Sequence, residues 1–355
     1  MPDTKRQREG LMSRRILVTG GCGFIGSNFI RFVLRNRVDW KIVNLDNLSY
    51  SGNLDNLQEV DRDPRYKFVR GDINDRDIVD SLVKQCDALV HFAAESHVDR
   101  SIMDPRPFVE TNVLGTQTLL ESARLAGGRR FVHVSTDEVY GSLPLEKPDL
   151  KFNEDSPICG NNPYAASKAS SDLLALSYHH TFGLEVMVTR CSNNFGAYQF
   201  PEKIIPLFVT NLLNDEHVPL YGDGRNVRDW LHVDDHCEAI VAVLERGRAG
   251  RVYNIGGNNE RSNLDLTYSI LAITGKGRDR IRPVADRPGH DMRYAIDASR
   301  IERELGWRAT RSAWPEALHE TAKWYSDNRI WWERIKSGEY RSYYDKQYGS
   351  AARDA

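Results

Sequence analysis

The sequence predicts an α/β fold: a parallel sheet with helices on both faces, joined to a smaller mixed α/β lobe. Three observations carry this reading. Short apolar runs alternate with amphipathic stretches through the first half of the chain. A glycine-rich turn follows the first run and opens the first amphipathic stretch. Polar clusters follow nearly every run, as expected where ligands gather beyond the carboxyl ends of parallel strands.

The elements follow in order. Ile16-Leu17-Val18 leads into Gly20-Gly21-Cys22-Gly23-Phe24-Ile25-Gly26 and a helix from Ser27 to about Arg35. Further strands are expected at Ile42 to Leu45, ending at Asp46, at Lys67 to Val69, and at Ala88 to Phe92. Arg130 to Val134 ends at Ser135-Thr136-Asp137-Glu138, and Glu185 to Arg190 ends at Cys191-Ser192-Asn193-Asn194. Helical spacing runs from Asn112 to Leu125 and from Ala165 to Thr181. After Asn194 prolines, aromatics and charges mix, while a helix from Asp234 to Glu245 and a strand from Val252 to Ile255 return to the sheet. The division expected is a disordered extension over 1–13, a first domain of 14–195 plus 228–256, and a second of 196–227 plus 257–346. Substrate is expected in the cleft between the lobes.

Composition removes several classes of function. The 355 residues carry 48 Lys plus Arg against 50 Asp plus Glu, so no general attraction to nucleic acid or anionic membrane is expected. No apolar stretch approaches the ~20 residues a membrane span needs, and no apolar signal-peptide region opens the chain. The five cysteines are scattered without a C-x-x-C pair, so a disulfide framework is not expected and a reducing cytoplasm is the default. His232 and His236 stand four apart, a spacing suited to metal on one helical face, but no third ligand is evident and no metal is expected.

The turn at Gly20, Gly23 and Gly26 has the context of a dinucleotide site, strand before and helix after. Helix N–H groups and the positive end of the helix dipole then face the phosphates. Asp46, at the end of the next strand, is placed to accept from an adenosine ribose and to repel a 2′-phosphate, which favours NAD; a turn cap is its alternative role. Asp72 suits the adenine amino group or a helix cap. Tyr164 and Lys168, four apart on a predicted helix, share one face. An ammonium beside a phenol favours the phenolate and lowers its pKa. Asp137 and Glu138 are adjacent acids just past a strand, and two carboxyls with separated pKa values supply the acid and base that removal of water requires.

The G-x-x-G-x-x-G spacing together with Tyr164-Ala165-Ala166-Ser167-Lys168 resembles the extended short-chain dehydrogenase/reductase superfamily. Within it, Ser135-Thr136-Asp137-Glu138-Val139-Tyr140-Gly141 is similar to the dTDP-glucose 4,6-dehydratase family. The blocks Ala93 to Ser101, Asn162 to Asp172, Phe200 to Pro206, Arg228 to Leu231 and Asp286 to Asp291 repeat the likeness. UDP-galactose epimerases and UDP-glucuronate decarboxylases share the glycine loop and the Tyr–Lys pair but typically lack the Asp–Glu pair.

The resemblance implies a Rossmann-type doubly wound parallel sheet with a smaller mixed α/β substrate-binding lobe. It implies an NAD-dependent hydro-lyase converting dTDP-glucose to dTDP-4-keto-6-deoxyglucose and water. Tyr164, assisted by Lys168, takes the 4-hydroxyl proton as C4 gives hydride to tightly bound NAD. Thr136 holds the substrate at C4, Glu138 removes the C5 proton, Asp137 protonates the departing 6-hydroxyl, and hydride returns to C6. Cofactor contacts implied are Gly20, Gly23, Phe24, Ile25, Gly26, Asp46, Asn47, Leu48, Ser49, Asp72, Ile73, Phe92, Ala93, Ala94, Ser96, Thr111, Ser135, Tyr164, Lys168 and Asn194. Substrate contacts implied are Ser96, Thr136, Asn193, Lys203, Ile204, Pro219, Tyr221, Arg228, Asn263, Asp286, Arg287, His290 and Tyr294.

Cys22 stands where that family usually has alanine; at a helix N-terminus its thiol pKa is expected to fall. A homodimer through the helices at 111–125 and 164–182 is also implied. The alternatives are a UDP-sugar 4,6-dehydratase or a nucleotide-sugar 4-epimerase and, more remotely, a non-catalytic NAD-binding regulator.

Overall fold

The computed structural model describes residues 14–337. The expected extension at 1–13 and residues 338–346 of the expected second domain lie outside the described residues. Two compact units divide the rest: 14–135, 167–189 and 237–252 in the first, and 136–166, 190–236 and 253–337 in the second.

Apolar, β-branched runs build the sheet of the first unit: β1 (Arg14–Thr19), β2 (Trp40–Asp46), β3 (Tyr66–Arg70), β4 (Ala88–His91), β5 (Arg130–Thr136) and β6 (Val186–Cys191). With β10 (Val252–Ile255) they form one seven-stranded sheet in the order β10-β6-β5-β4-β1-β2-β3. β1 pairs in parallel with β2 and β4, β2 with β3, and β4 with β5. The chain winds outward from β1 through β2 to β3, then returns to β4 and winds the other way. That reversal, with Thr19 opposite His91, is the switch point where such sheets take ligands. α1 (Phe24–Asn36) follows β1, α2 (Arg76–Lys84) follows β3, and the short α3 (Val98–Met103) follows β4. α4 (Thr116–Leu125) precedes β5, and α5 (Pro163–Phe182) precedes β6.

One face of the sheet buries Leu17, Leu45, Leu89, Phe131 and Val186 against Val79 and Val83 of α2, Leu119, Leu120 and Ala123 of α4, and Ala175 of α5. The expected helix over 112–125 is broken in two. Val109–Gly115 has π-helical spacing before α4 begins, and a Cβ at Gly115 would collide with Ile73. Arg37, capping α1, makes a forked ion pair with Glu245 of α7 (Val233–Arg246).

The second unit has its own core. β7 (Asn193–Phe195) pairs in parallel with β9 (Val227–His232), which pairs antiparallel with β11 (Glu260–Ser262). β8 (Val218–Tyr221) pairs in parallel with β12 (Ile281–Val284). α6 (Ile204–Leu213), α8 (Asn263–Thr274), α10 (Glu316–Asp327) and α11 (Arg329–Lys336) enclose Phe195, Phe208, Trp230, Leu318 and Trp332, while α9 (Ser299–Leu305) is a short separate helix. Trp314, Trp324 and Trp331 pack against the same cluster. Residues 136–166 and 228–236 group with the second unit.

Candidate active site

In the first unit the glycine turn is shaped by close backbone approach. Gly20 has φ +71°, and a Cβ there would lie 2.6 Å from Ala93 Cα. A Cβ at Gly26 would strike Gly20 O and the Gly21 backbone. At Gly23 the nearest atom to a Cβ is Gly20 O at 3.4 Å, so this side of the turn is open. Gly23 caps α1 with no side-chain hydrogen bond, which leaves the first-turn N–H groups, those of Phe24 and Ile25 included, available to an anion.

Asp46 is nine-tenths buried and serves the turn directly. Cys22 N–H donates to its Oδ2 at 2.9 Å and Leu48 N–H to its Oδ1 at 2.8 Å. Each oxygen keeps a second acceptor position. These bonds make Asp46 a turn cap. Asp72 accepts from Asn47 Nδ2 (3.0 Å) and from Asn74 N (2.8 Å), whereas α2 is capped by Asp75. Leu48 holds φ +59°, and Asn47 Oδ1 accepts from Ser49 N.

Ile73 is buried, and Phe92 packs on Phe29 with ring centroids 5.2 Å apart. Ala94, Ser96 and Thr111 are partly exposed, and Ser135 is buried at the end of β5. Lys168 is buried and its Nζ donates to Val134 O at 2.8 Å. Asn194 lies on β7 in the second unit. Its Nδ2 donates to Ser192 O, and its Oδ1 faces His236 Nδ1 at 2.8 Å.

In the second unit the last residue of β5, Thr136, turns the chain: its Oγ1 accepts from Glu138 N at 3.3 Å. The strand runs two residues past its expected end, and Asp137–Tyr140 then forms a 3₁₀ turn. Asp137 is buried, and burial plus the charges of Glu138 and Asp229 hold its carboxyl well above the usual range. Its Oδ2 has no hydrogen-bond partner. Burial also raises Glu138, but Arg287, Lys203 and Arg228 oppose that rise. Both adjacent carboxyls are thus raised, Asp137 strongly and Glu138 against the pull of three cations.

Four of the residues assigned to substrate, Lys203, Arg228, Arg287 and Tyr294, interact with Glu138. Tyr294 OH donates to Asp291 Oδ2 at 2.5 Å, and the same oxygen lies 3.5 Å from Glu138 Oε2. The Arg228 guanidinium sits 4.3 Å over the Tyr294 ring and donates to Asp291 O at 3.0 Å. Asn193 Oδ1 is buried without a hydrogen bond. Lys203 caps α6, Ile204 begins it, and Asn263 begins α8 beside β9. His290 Nδ1 lies 2.6 Å from Asp286 Oδ1, and its ring meets Tyr221, two residues past Pro219 on β8, edge-on at 6.0 Å. Burial and the cations Arg287 and Arg228 push His290 down to about 4, so the imidazole is neutral.

Three expectations are corrected. Burial and the charges of Glu138, Cys191 and Asp137 push the Tyr164 phenol well above its ordinary value, where the Lys168 spacing predicts a lowering; the Thr136 hydrogen bond opposes the rise without cancelling it. Cys22 is fully buried beside Asp46, and its thiol rises to about 12 where a fall is expected. His232 ends β9 while His236 lies on α7, so the two do not share a helical face.

Sequence reasoning did not assign Asp229, Asp291, Asn161 or Asn112. Asp229 anchors Asn259 N at 2.6 Å and Gly257 N at 3.0 Å beneath Asp137. Asn112 binds both ends of Glu95, N–H to Oδ1 at 2.9 Å and O from Nδ2 at 3.0 Å, and reaches Ser167 Oγ at 2.8 Å. Asp229 and Asp291 stand inside two quoted blocks, Arg228 to Leu231 and Asp286 to Asp291, the signal from which they could have been found.

Comparison with known proteins agrees with this geometry. A family model described as GDP-mannose 4,6 dehydratase matches residues 17–317. A dTDP-glucose 4,6-dehydratase of Streptomyces niveus is 55% identical over 327 residues, 91% of this chain and 96% of that one. The solved dTDP-glucose 4,6-dehydratase of Streptomyces venezuelae, with NAD bound, superposes with a TM-score of 0.88 at 54% identity, covering 91% of this chain and 100% of its own. That of Bacillus anthracis, also in complex with NAD, gives 0.85 at 48% identity, with 91% and 100% covered. Matched over nearly all of its described length, and with the Tyr–Lys and Asp–Glu pairs in place, the chain belongs to the dTDP-glucose 4,6-dehydratase family.

Proposed function

We propose that this chain is an NAD-dependent dTDP-glucose 4,6-dehydratase, converting dTDP-glucose to dTDP-4-keto-6-deoxyglucose and water. The observation that carries the proposal is the adjacent buried carboxyl pair, Asp137 driven well toward its acid form and Glu138 raised less, its rise opposed by three cations. A simple 4-epimerase has no step that uses such a pair, and a regulator has no use for it.

The first unit fits a dinucleotide. Gly20 and Gly26 exclude any side chain, the Gly23 side is open, the start of α1 has no side-chain cap, and Asp46 keeps acceptor capacity for ribose hydroxyls. Bound NAD would accept hydride from the sugar C4 and later return it to C6. Tyr164 takes the 4-hydroxyl proton. Its raised pKa means that this requires positive charge near the phenol, from Lys168 on the same helix and from the oxidised nicotinamide. Thr136, hydrogen-bonded to Tyr164, orients the same hydroxyl. Once C4 is a ketone the C5 proton is acidic; Glu138 removes it, and Asp137 gives its proton to the departing 6-hydroxyl. Chain continuity supports this assembly, since β5 carries Ser135 into Thr136 and α5 carries both Tyr164 and Lys168.

The sugar diphosphate falls to Arg228, Lys203, Asn193 and Asn263, with forked guanidinium donors suited to phosphate. The nucleoside falls to Pro219, Tyr221, Asp286, Arg287 and His290. The functional domains are read as dinucleotide-binding for 14–195 plus 228–256 and nucleotide-sugar-binding for 196–227 plus 257–346.

A homodimer is part of the reading. Leu114 and Leu125 are about half exposed, and Ala166, Ser170, Leu173 and Ser177 form an exposed stripe of mostly small residues along α5, suited to close helix packing with a second copy. All five cysteines are free, which supports a reducing cytoplasm. Among the described residues no helix is long and apolar enough to cross a membrane. The test is to incubate the protein with dTDP-glucose and look for the alkali-developed chromophore of a 4-keto sugar. Its absence with every hexose nucleotide overturns the proposal.

A further inference from the structure

We infer that Asp291 is a positioning residue for the base: it captures the Tyr294 hydroxyl proton so that the phenol oxygen presents a lone pair, and never a proton, to Glu138. The inference rests on the proposed role of Glu138 and deepens it. Asp291 is buried, and both of its carboxylate oxygens and its carbonyl accept hydrogen bonds. Asn161 Nδ2 donates to Oδ1 at 2.6 Å and Tyr294 OH to Oδ2 at 2.5 Å. The backbone carbonyl accepts from Arg228 (3.0 Å) and from Asn226 Nδ2 (3.2 Å). The Arg228 guanidinium caps the Tyr294 ring from one face, so the phenol is fixed in both position and rotation.

The consequence lies in the proton count. A phenol has one proton to give. The carboxylate of Asp291 is the stronger and nearer acceptor, at 2.5 Å against the 3.5 Å separating Tyr294 OH from Glu138 Oε2. Ionised Glu138 therefore gains no hydrogen bond from Tyr294. Glu138 that has taken up the C5 proton can instead donate it to the waiting phenol oxygen. The arrangement stabilises the protonated form selectively, which strengthens the base and holds the abstracted proton until C5 is reprotonated. Other groups facing Glu138 are Arg287, Lys203 and Arg228, which favour its ionised form, and Asp137, Tyr164 and Asp291 itself. Burial raises Glu138 against those three cations, and Asp291 adds to that rise.

Asp291→Asn breaks the capture, because an amide is a poorer acceptor and frees Tyr294 OH to donate to Glu138. The acidic limb of the kcat profile should move down by about one pH unit. Isotope-edited infrared titration of the Glu138 carboxyl in the resting protein should move in the same sense. Tyr294→Phe, which deletes one oxygen, should give a smaller downward shift, and most of the Asp291→Asn effect should vanish in the Tyr294→Phe background. Wild-type turnover of dTDP-glucose run alongside separates the two readings, since its absence defeats the proposed function itself. With wild-type activity intact, an unmoved Glu138 titration in both folded variants overturns the inference. So does an Asp291→Asn shift of equal size whether or not Tyr294 is present.

Discussion

The glycine turn of the first unit and the carboxyl pair of the second are built by different physics. The turn is a steric object: Gly20, Gly23 and Gly26 lie within one short segment, and Gly20 and Gly26 are each required by a distance or a dihedral. The carboxyl pair is an electrostatic object. Asp137 and Glu138 are neighbours in sequence, yet their shifts come from burial and from Lys203, Arg228, Asp229, Arg287 and Asp291, drawn from distant parts of the chain. A steric motif is written locally and tolerates no added atom. An electrostatic one is assembled by the fold and responds in degree to each charge.

Breaking the pair should have the largest effect. Glu138→Gln removes the base and should lower product formation by ~10²–10⁴. Oxidation at C4 should persist, so that reduced cofactor accumulates with substrate; product analysis with absorbance of the bound cofactor checks both. Breaking the turn comes next. Gly26→Ala forces a Cβ onto backbone atoms of Gly20 and Gly21, so cofactor content should drop and stability fall by about 1–3 kcal/mol by thermal unfolding. The ribose end of the first unit should respond more gently. Asp46→Asn keeps the shape but loses the charge, and preference for NAD over its 2′-phosphate should narrow about tenfold in binding titrations.

The smallest effect sharpens the electrostatic side. Asp137 has its folded pKa raised, so the folded state holds this proton to higher pH than the unfolded chain, whose value is near 3.8. The stability it contributes is full below that value and is lost as pH rises through the folded pKa. Asp137→Asn mimics the neutral acid at every pH. The Tm of the variant should exceed that of wild type by a margin of a few degrees that widens with rising pH.

The same contrast explains what was legible beforehand. Spacing alone located the Gly20–Gly26 turn, Asp46 at the following strand end and the Tyr164–Lys168 face, because those relations span one turn, one strand or one helix. The direction of the Tyr164 shift was misread, since Lys168 is visible at four residues' distance whereas Glu138, Asp137 and Cys191 surround the phenol only after folding. Cys22 was misread for the same reason: local context suggested a helix terminus, and burial beside Asp46 outweighs it. His232 and His236 looked like one helical face until the strand β9 was found to run through His232. Asp291 and Asn161, 130 positions apart, carry no local signature of their hydrogen bond.

The most direct test of the paired-carboxyl account is a single turnover of the NAD-loaded protein with dTDP-glucose, followed by stopped-flow absorbance and rapid quench. The account predicts a transient rise in reduced nicotinamide that returns to baseline as 4-keto-6-deoxy sugar appears in equal amount. Product forming with no such rise, or a rise that persists without dehydrated sugar in the wild-type protein, would contradict it.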